Sequence, residues 1–151
     1  MRNMPTAETP PVFTLEAVNA LVPRLRVLME AQMGRRLEIE KRLEELSGLM
    51  GRAPETIQAE EDDPAHVRDL KHALVQRVDA YQSGWREIEE MGAVLKDPRK
   101  GLLDFYGHVD GKPVWLCWKY GEDAVGHYHE LDEGFAGRKP IEPTMRRRHL
   151  N

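Results

Sequence analysis

His127 and His129 stand two residues apart in the segment AVGHYHE, with Glu122, Glu130, Asp132 and Glu133 close by in the chain. In a strand, successive side chains alternate, so both imidazoles share a face and could hold one divalent metal ion, with Glu122, Glu130 or Asp132 as oxygen donors. His127, His129 and Glu130 are the ligands expected in that case. The competing expectation is structural: His129 forms a hydrogen-bonded pair with a neighbouring carboxylate, and no cofactor is bound. Asp104, Glu122, Glu130, Asp132 and Glu133 could also supply two carboxylates for acid and base catalysis if burial split their pKa values, but no spacing fixes their separation. Arg138 can pair with one of these acids or hold an anionic ligand in its planar fork.

The single cysteine, Cys117, excludes an internal disulfide framework and a multi-cysteine metal centre. It lies between Leu116 and Trp118 in an apolar run, where a small buried side chain is expected. Gly121, Gly126, Gly134 and Gly137 lack the strand, spacing and following helix of a phosphate loop, which removes nucleotide binding from consideration. Arg146, Arg147 and Arg148 form a basic run near the C-terminus. With 22 Lys plus Arg against 26 Asp plus Glu, the net charge is −4 and no nucleic-acid motif accompanies the run, so a solvated tail is expected rather than a nucleic-acid site.

The elements that must position these residues are read from periodicity. Residues 1–12, with Pro5, Pro10 and Pro11, form an extended arm. Thr14 is an N-cap, with Phe13 and Val18 at the positions of a hydrophobic staple. Val18, Leu21, Leu25, Leu28, Gln32, Ile39, Leu43, Leu46 and Met50 then recur at helical spacing, giving a helix over about residues 14–50. Pro23 should kink it, and Gly51 should end it. The acidic segment RAPETIQAEEDD is a solvated connector, and Asp63-Pro64 opens a second helix over about residues 64–96. Its stripe, from Val67 through Leu95, has the spacing of a coiled-coil seam. The two helices should fold back antiparallel. Val22, Met29, Met33 and Leu37 make a second apolar edge on the first helix; the C-terminal region can cover one end of it, and covering the rest motivates a homodimer through the helices.

After Pro98 the period becomes two. GLLDFYGHV and PVWLCWKY flank Asp110-Gly111, the pair suited to a type I′ hairpin, so Val109 should face Lys112 and Asp104 should face Cys117. Strands are expected over about residues 102–109, 112–120 and 124–130. Which face the histidines take depends on the second turn. An even loop places His127 beside Trp118 and His129 beside Leu116, inside the apolar face. A three-residue loop at Glu122–Ala124 instead aligns Asp104, Cys117 and His129 across three strands, the one register in which His129 could activate the thiol.

The residues CWKYGEDAVGHYHELDEGFAGRKPI, with GLLDF upstream and FTLEAVNALVPRL at the first helix, resemble a prokaryotic family catalogued as a domain of unknown function, number 2203. The likeness covers most of residues 13–141. It implies a shared single domain and directs attention to Asp104, Glu122, His129, Glu130 and Arg138 as a polar cluster or ligand site, without assigning them chemistry. The family usually carries another aromatic at the position of His127.

Hydrophobic residues at 40% and charged residues at 32% describe a folded, helix-rich chain, with no apolar run long enough for a membrane span. The opening residues lack the apolar core of a secretory signal, so a cytoplasmic protein without membrane association is expected. The expected fold is α+β, mainly α: a long antiparallel helical hairpin followed by a small three-stranded antiparallel meander, one domain over residues 13–142, then a basic tail over 143–151. The leading functional expectation is a noncatalytic, self-associating interaction or regulatory module with a protein partner. The alternatives are a small metal-binding protein or metalloenzyme, and a nucleic-acid-associated protein using the tail.

Overall fold

The structure, a computed structural model, describes residues 10–142. Most of the expected N-terminal arm and the whole basic tail, including Arg146, Arg147 and Arg148, lie outside the described residues. Two helices, α1 (Leu15–Met50) and α2 (Ala65–Glu90), precede five strands: β1 (Val94–Asp97), β2 (Leu102–Val109), β3 (Lys112–Lys119), β4 (His127–Glu130) and β5 (Lys139–Pro140). The strands form one antiparallel sheet in sequence order. Two compact units can be distinguished, one built from the chain up to Met29 together with everything from Ile88 onward, the other from Glu30–Glu87.

In the first unit, α1 begins where the sequence places it. The Thr14 hydroxyl accepts from the Ala17 N–H at 3.0 Å, satisfying a donor that the first helical turn leaves open. Phe13, just before it, donates its N–H to the Tyr106 carbonyl at 2.8 Å and bridges Gly107 in parallel, extending the sheet edge beyond the end of β1. Gly107 is required there, because a Cβ would meet the Phe13 carbonyl and Leu116 at 2.8 Å. The core of this unit comprises Leu15, Val18, Val22 and Leu25 from α1 and the face carrying Leu103, Phe105, Val114, Leu116 and Trp118 from the sheet. That sheet face follows from the hairpin: Asp110 and Gly111 both take positive φ, 56° and 74°, and every pairing from Val109 with Lys112 to Leu103 with Trp118 is as expected.

In the second unit, the rest of α1 and most of α2 run antiparallel. Leu46 packs with Val67, Leu70 and Leu74, while Gln32 at the other end bonds the Tyr81 carbonyl at 2.8 Å. Gln32 is buried and also accepts from Arg35 at 2.6 Å. Gly84 makes room for it, since a Cβ would overlap the Gln32 amide. Gly51, at φ 74°, ends α1 as expected. The acidic connector is more than solvated chain: Asp63 Oδ2 accepts from the Glu60 N–H at 2.7 Å and from Lys71 Nζ at 3.0 Å, and so pairs an ammonium that is 1% exposed.

Three expectations are corrected. The sheet has five strands, not three. The second helix ends at Glu90, not near Lys96, because Gly92 turns at φ 103° with Phe13 against it, and the following residues Val94–Asp97 pair with β2. The last expected strand, over about residues 124–130, shortens to His127–Glu130 because residues 120–126 are held as an irregular connection. In that connection the Val125 N–H donates to Asn19 Oδ1 of α1 at 2.6 Å and Trp118 Nε1 donates to the Glu122 carbonyl at 3.1 Å. Val22 and Met29, at one end of the second apolar edge of α1, are buried within the chain, while Leu37 is 67% exposed.

Candidate metal centre

The sheet face opposite the apolar core carries Asp104 and Tyr106 on β2, Cys117 and Trp115 on β3, and His127 and His129 on β4. The odd parity left open by the sequence is the one adopted, but shifted by two residues from the aligned register: Cys117 pairs with His127, and His129 with Trp115. His129 reaches diagonally across β3, and its Nε2 lies 2.9 Å from Asp104 Oδ2. Asp104, Cys117 and His129 are each at most 2% exposed, and one donor atom from each, an oxygen, a sulfur and a nitrogen, lies within 4.8 Å of the other two.

Hydrogen bookkeeping constrains this pair. His129 Nδ1 lies 3.0 Å from the Glu130 carbonyl, which can only accept, so Nδ1 carries a hydrogen. Nε2 therefore either accepts from a protonated Asp104 or donates to its carboxylate as part of an imidazolium. In both forms the pair holds a proton that a metal ion would displace. Burial pushes the Asp104 carboxyl up, against the opposing effects of the His129 charge and hydrogen bond and of Lys96. The backbone anchor on Nδ1 also fixes which nitrogen faces the other donors, the arrangement by which ligating histidines are oriented.

Burial, and then the charge of Asp104, push the Cys117 thiol up to about 11, although Arg138 opposes both with Nη1 at 3.7 Å from the sulfur. A thiol held protonated at neutral pH is a poor nucleophile, and His129, with Nδ1 on a carbonyl and Nε2 on Asp104, is not placed to activate it. A bound metal would deprotonate it outright. Arg138 is in turn held by Glu122, at 2.5 and 3.3 Å, and Glu122 also accepts from the Lys119 N–H at 2.9 Å. Burial raises the Glu122 carboxyl, but the Arg138 hydrogen bond and the backbone donor outweigh it and leave it below the usual range. Arg138 also stacks over Phe135 at 4.3 Å.

His127, His129 and Glu130, the residues expected as metal ligands, do not converge. His129 occupies the centre. Glu130 falls on the other side of the strand and binds Lys112 and Lys139, both at 3.4 Å. His127 shares the face of His129 and is half-buried, but it lies outside the donor cluster. Beside His129 lie Asp104, which offers an oxygen, and Cys117, which offers a sulfur that its place in an apolar run concealed. The only signal for it was the alternative register that lined up these three residues. Of the expected polar cluster, Asp104 meets His129 and Glu122 meets Arg138, with Cys117 touching Arg138 between them. Among the described residues a second acidic group, Glu60, Asp62 and Asp63, lies on the exposed connector.

Over the centre lies a cavity of about 300 Å³ lined by Lys96, Asp97, Lys100, Leu102, Glu133, Gly134 and Phe135 as well as the three donors. Among the described residues, no helix is long and apolar enough to cross a membrane. A family model described as "Uncharacterized conserved protein (DUF2203)" matches residues 11–141. No curated protein and no solved structure matches the chain.

Proposed function

The chain belongs to the uncharacterized conserved family DUF2203, and within a family that prescribes no chemistry we propose that it is a mononuclear metal-binding protein whose ligands are Asp104 Oδ2, Cys117 Sγ and His129 Nε2. The observation that carries this reading is the convergence of three buried donors of different type within 4.8 Å, with the histidine pre-oriented by its other nitrogen. Donors on a tetrahedral zinc ion at about 2.0–2.3 Å stand roughly 3.3–3.7 Å from one another, so small side-chain adjustments would admit the ion. Mixed oxygen, nitrogen and sulfur donors favour zinc or a neighbouring divalent ion over magnesium or calcium.

Three protein ligands leave the fourth tetrahedral position to the cavity. That is the coordination pattern of centres that exchange water or substrate rather than of closed structural sites. Elemental analysis of protein purified without a histidine tag tests the proposal. One equivalent of metal is expected, lost in His129→Ala and in Cys117→Ser. A protein that remains folded and metal-free after equilibration with zinc would overturn it.

Self-association as a noncatalytic module is the second reading, favoured by the exposed Leu37 and Leu49 on α1. At 100° per residue these two side chains stand about 120° apart around the helix, so they do not continue one seam. Sedimentation at micromolar concentration would decide it: a monomer would reject this reading and leave the metal centre untouched. Nucleic-acid association rests on the arginine tail alone.

A further inference from the structure

Resting on the metal-centre reading, we propose that the cavity over Asp104, Cys117 and His129 takes a small organic anion, with an oxyanion head at the metal's fourth position beside Lys96 and Lys100 and an apolar body against Leu102 and Phe135. A dication held by one carboxylate, one thiolate and a neutral imidazole is a neutral centre, so it can accept an anion without opposing charge. The walls supply the rest. Lys96 and Lys100 both line the cavity, Lys96 close enough for its charge to act on the Asp104 carboxyl.

The two wall carboxylates are committed to backbone donors. Asp97 Oδ1 accepts from the N–H groups of Arg99 and Lys100 at 3.0 and 3.3 Å, and Glu133 Oε1 accepts from the Glu130 N–H at 3.3 Å. Once Asp104 binds the metal, its charge is taken up there, so an anion on the metal can pair by contact with the Lys96 and Lys100 ammonium groups. Lys96 is also specifically placed. It is the extra residue of the irregularity between Leu95 and Asp97 in β1, and its Nζ sits 4.9 Å from the centre of the Trp115 ring. Bulges of this kind re-aim one side chain next to a site.

At about 300 Å³ the cavity is at the small end of ligand sites, which suits a single-ring or short-chain acid. Carboxylates and phosphate esters share the required head, and benzoate and phenyl phosphate are the probes that distinguish them. The full chain loaded with cobalt(II) reports both steps, through a thiolate-to-cobalt band for the metal and visible d–d bands for its coordination. A saturable change in the d–d bands with benzoate or phenyl phosphate is expected. In the double variant Lys96→Gln, Lys100→Gln the anion should bind about tenfold more weakly, with cobalt uptake and the thiolate band unchanged. Stoichiometric cobalt with bands indifferent to both anions, or a double variant that binds them as tightly as the parent, would overturn this proposal and leave the metal centre standing. A chain that takes up no cobalt would overturn the metal reading and this one with it.

Discussion

A buried imidazole with an acceptor at each nitrogen forces a choice of proton, and Asp104 is where that choice is made. Asp104→Asn separates the two roles of the residue. The asparagine amide can donate to Nε2 of a neutral His129, so the hydrogen bond survives, but the anionic oxygen that would bind metal is lost. The variant should unfold within about 1 kcal/mol of the parent, yet bind zinc at least about 100-fold more weakly by competition with a chromophoric chelator. Equal zinc affinity would show that Asp104 is a structural partner of His129 and nothing more. Gly84 is decisive at the same scale for a packing reason. Its missing Cβ is filled by the Gln32 amide, itself held at both ends, so Gly84→Ala must displace a buried polar group rather than a free side chain. A loss of about 1–3 kcal/mol is expected in urea unfolding with an unchanged slope.

Among the elements, α2 shows how both ends of a helix are set by contacts outside it. At its start, Asp63 precedes Pro64 as a cap should, but its carboxylate turns to the Glu60 N–H and to buried Lys71. The backbone donor first, and Lys71 second, lower the Asp63 carboxyl below its ordinary value. A carboxylate depressed in the folded state is protonated first in the unfolded chain, so its contribution is complete above about pH 4 and disappears as pH falls through the folded value. Stability measured between neutral and strongly acid pH should therefore fall more steeply in the parent than in Asp63→Asn, which should be less stable at neutral pH. Identical acid profiles would remove Asp63 from the account. At its end, α2 stops because Gly92 takes φ 103° with the Phe13 ring against it. Gly92→Ala meets both the backbone penalty and the ring, and a loss of about 1–3 kcal/mol should appear in the same denaturant experiment.

For the whole molecule, a ligand that binds only the folded chain raises its stability by mass action, so zinc at 100 times its dissociation constant should add about 2.7 kcal/mol. The melting temperature should rise with zinc concentration in the parent and stay flat in His129→Ala. The sequence by itself determined the parts governed by near neighbours: α1 from the Thr14 cap to Gly51, the opening of α2, and the hairpin at Asp110-Gly111 with the register that sets Asp104 beside Cys117. Periodicity and turn chemistry act over a few residues, so they can be read without the fold. β1 escaped that reading because Leu95 continues the helical spacing, and β5 because two residues carry no period. The place of His129 was decided only in the tertiary structure. Its face turns on the parity of residues 120–126, and that connection is held by Asn19 on α1 and by Arg138 beyond β4, partners that no local pattern connects to it. The same long-range contacts brought Asp104, Cys117 and His129 together and turned Glu130 away to its lysines.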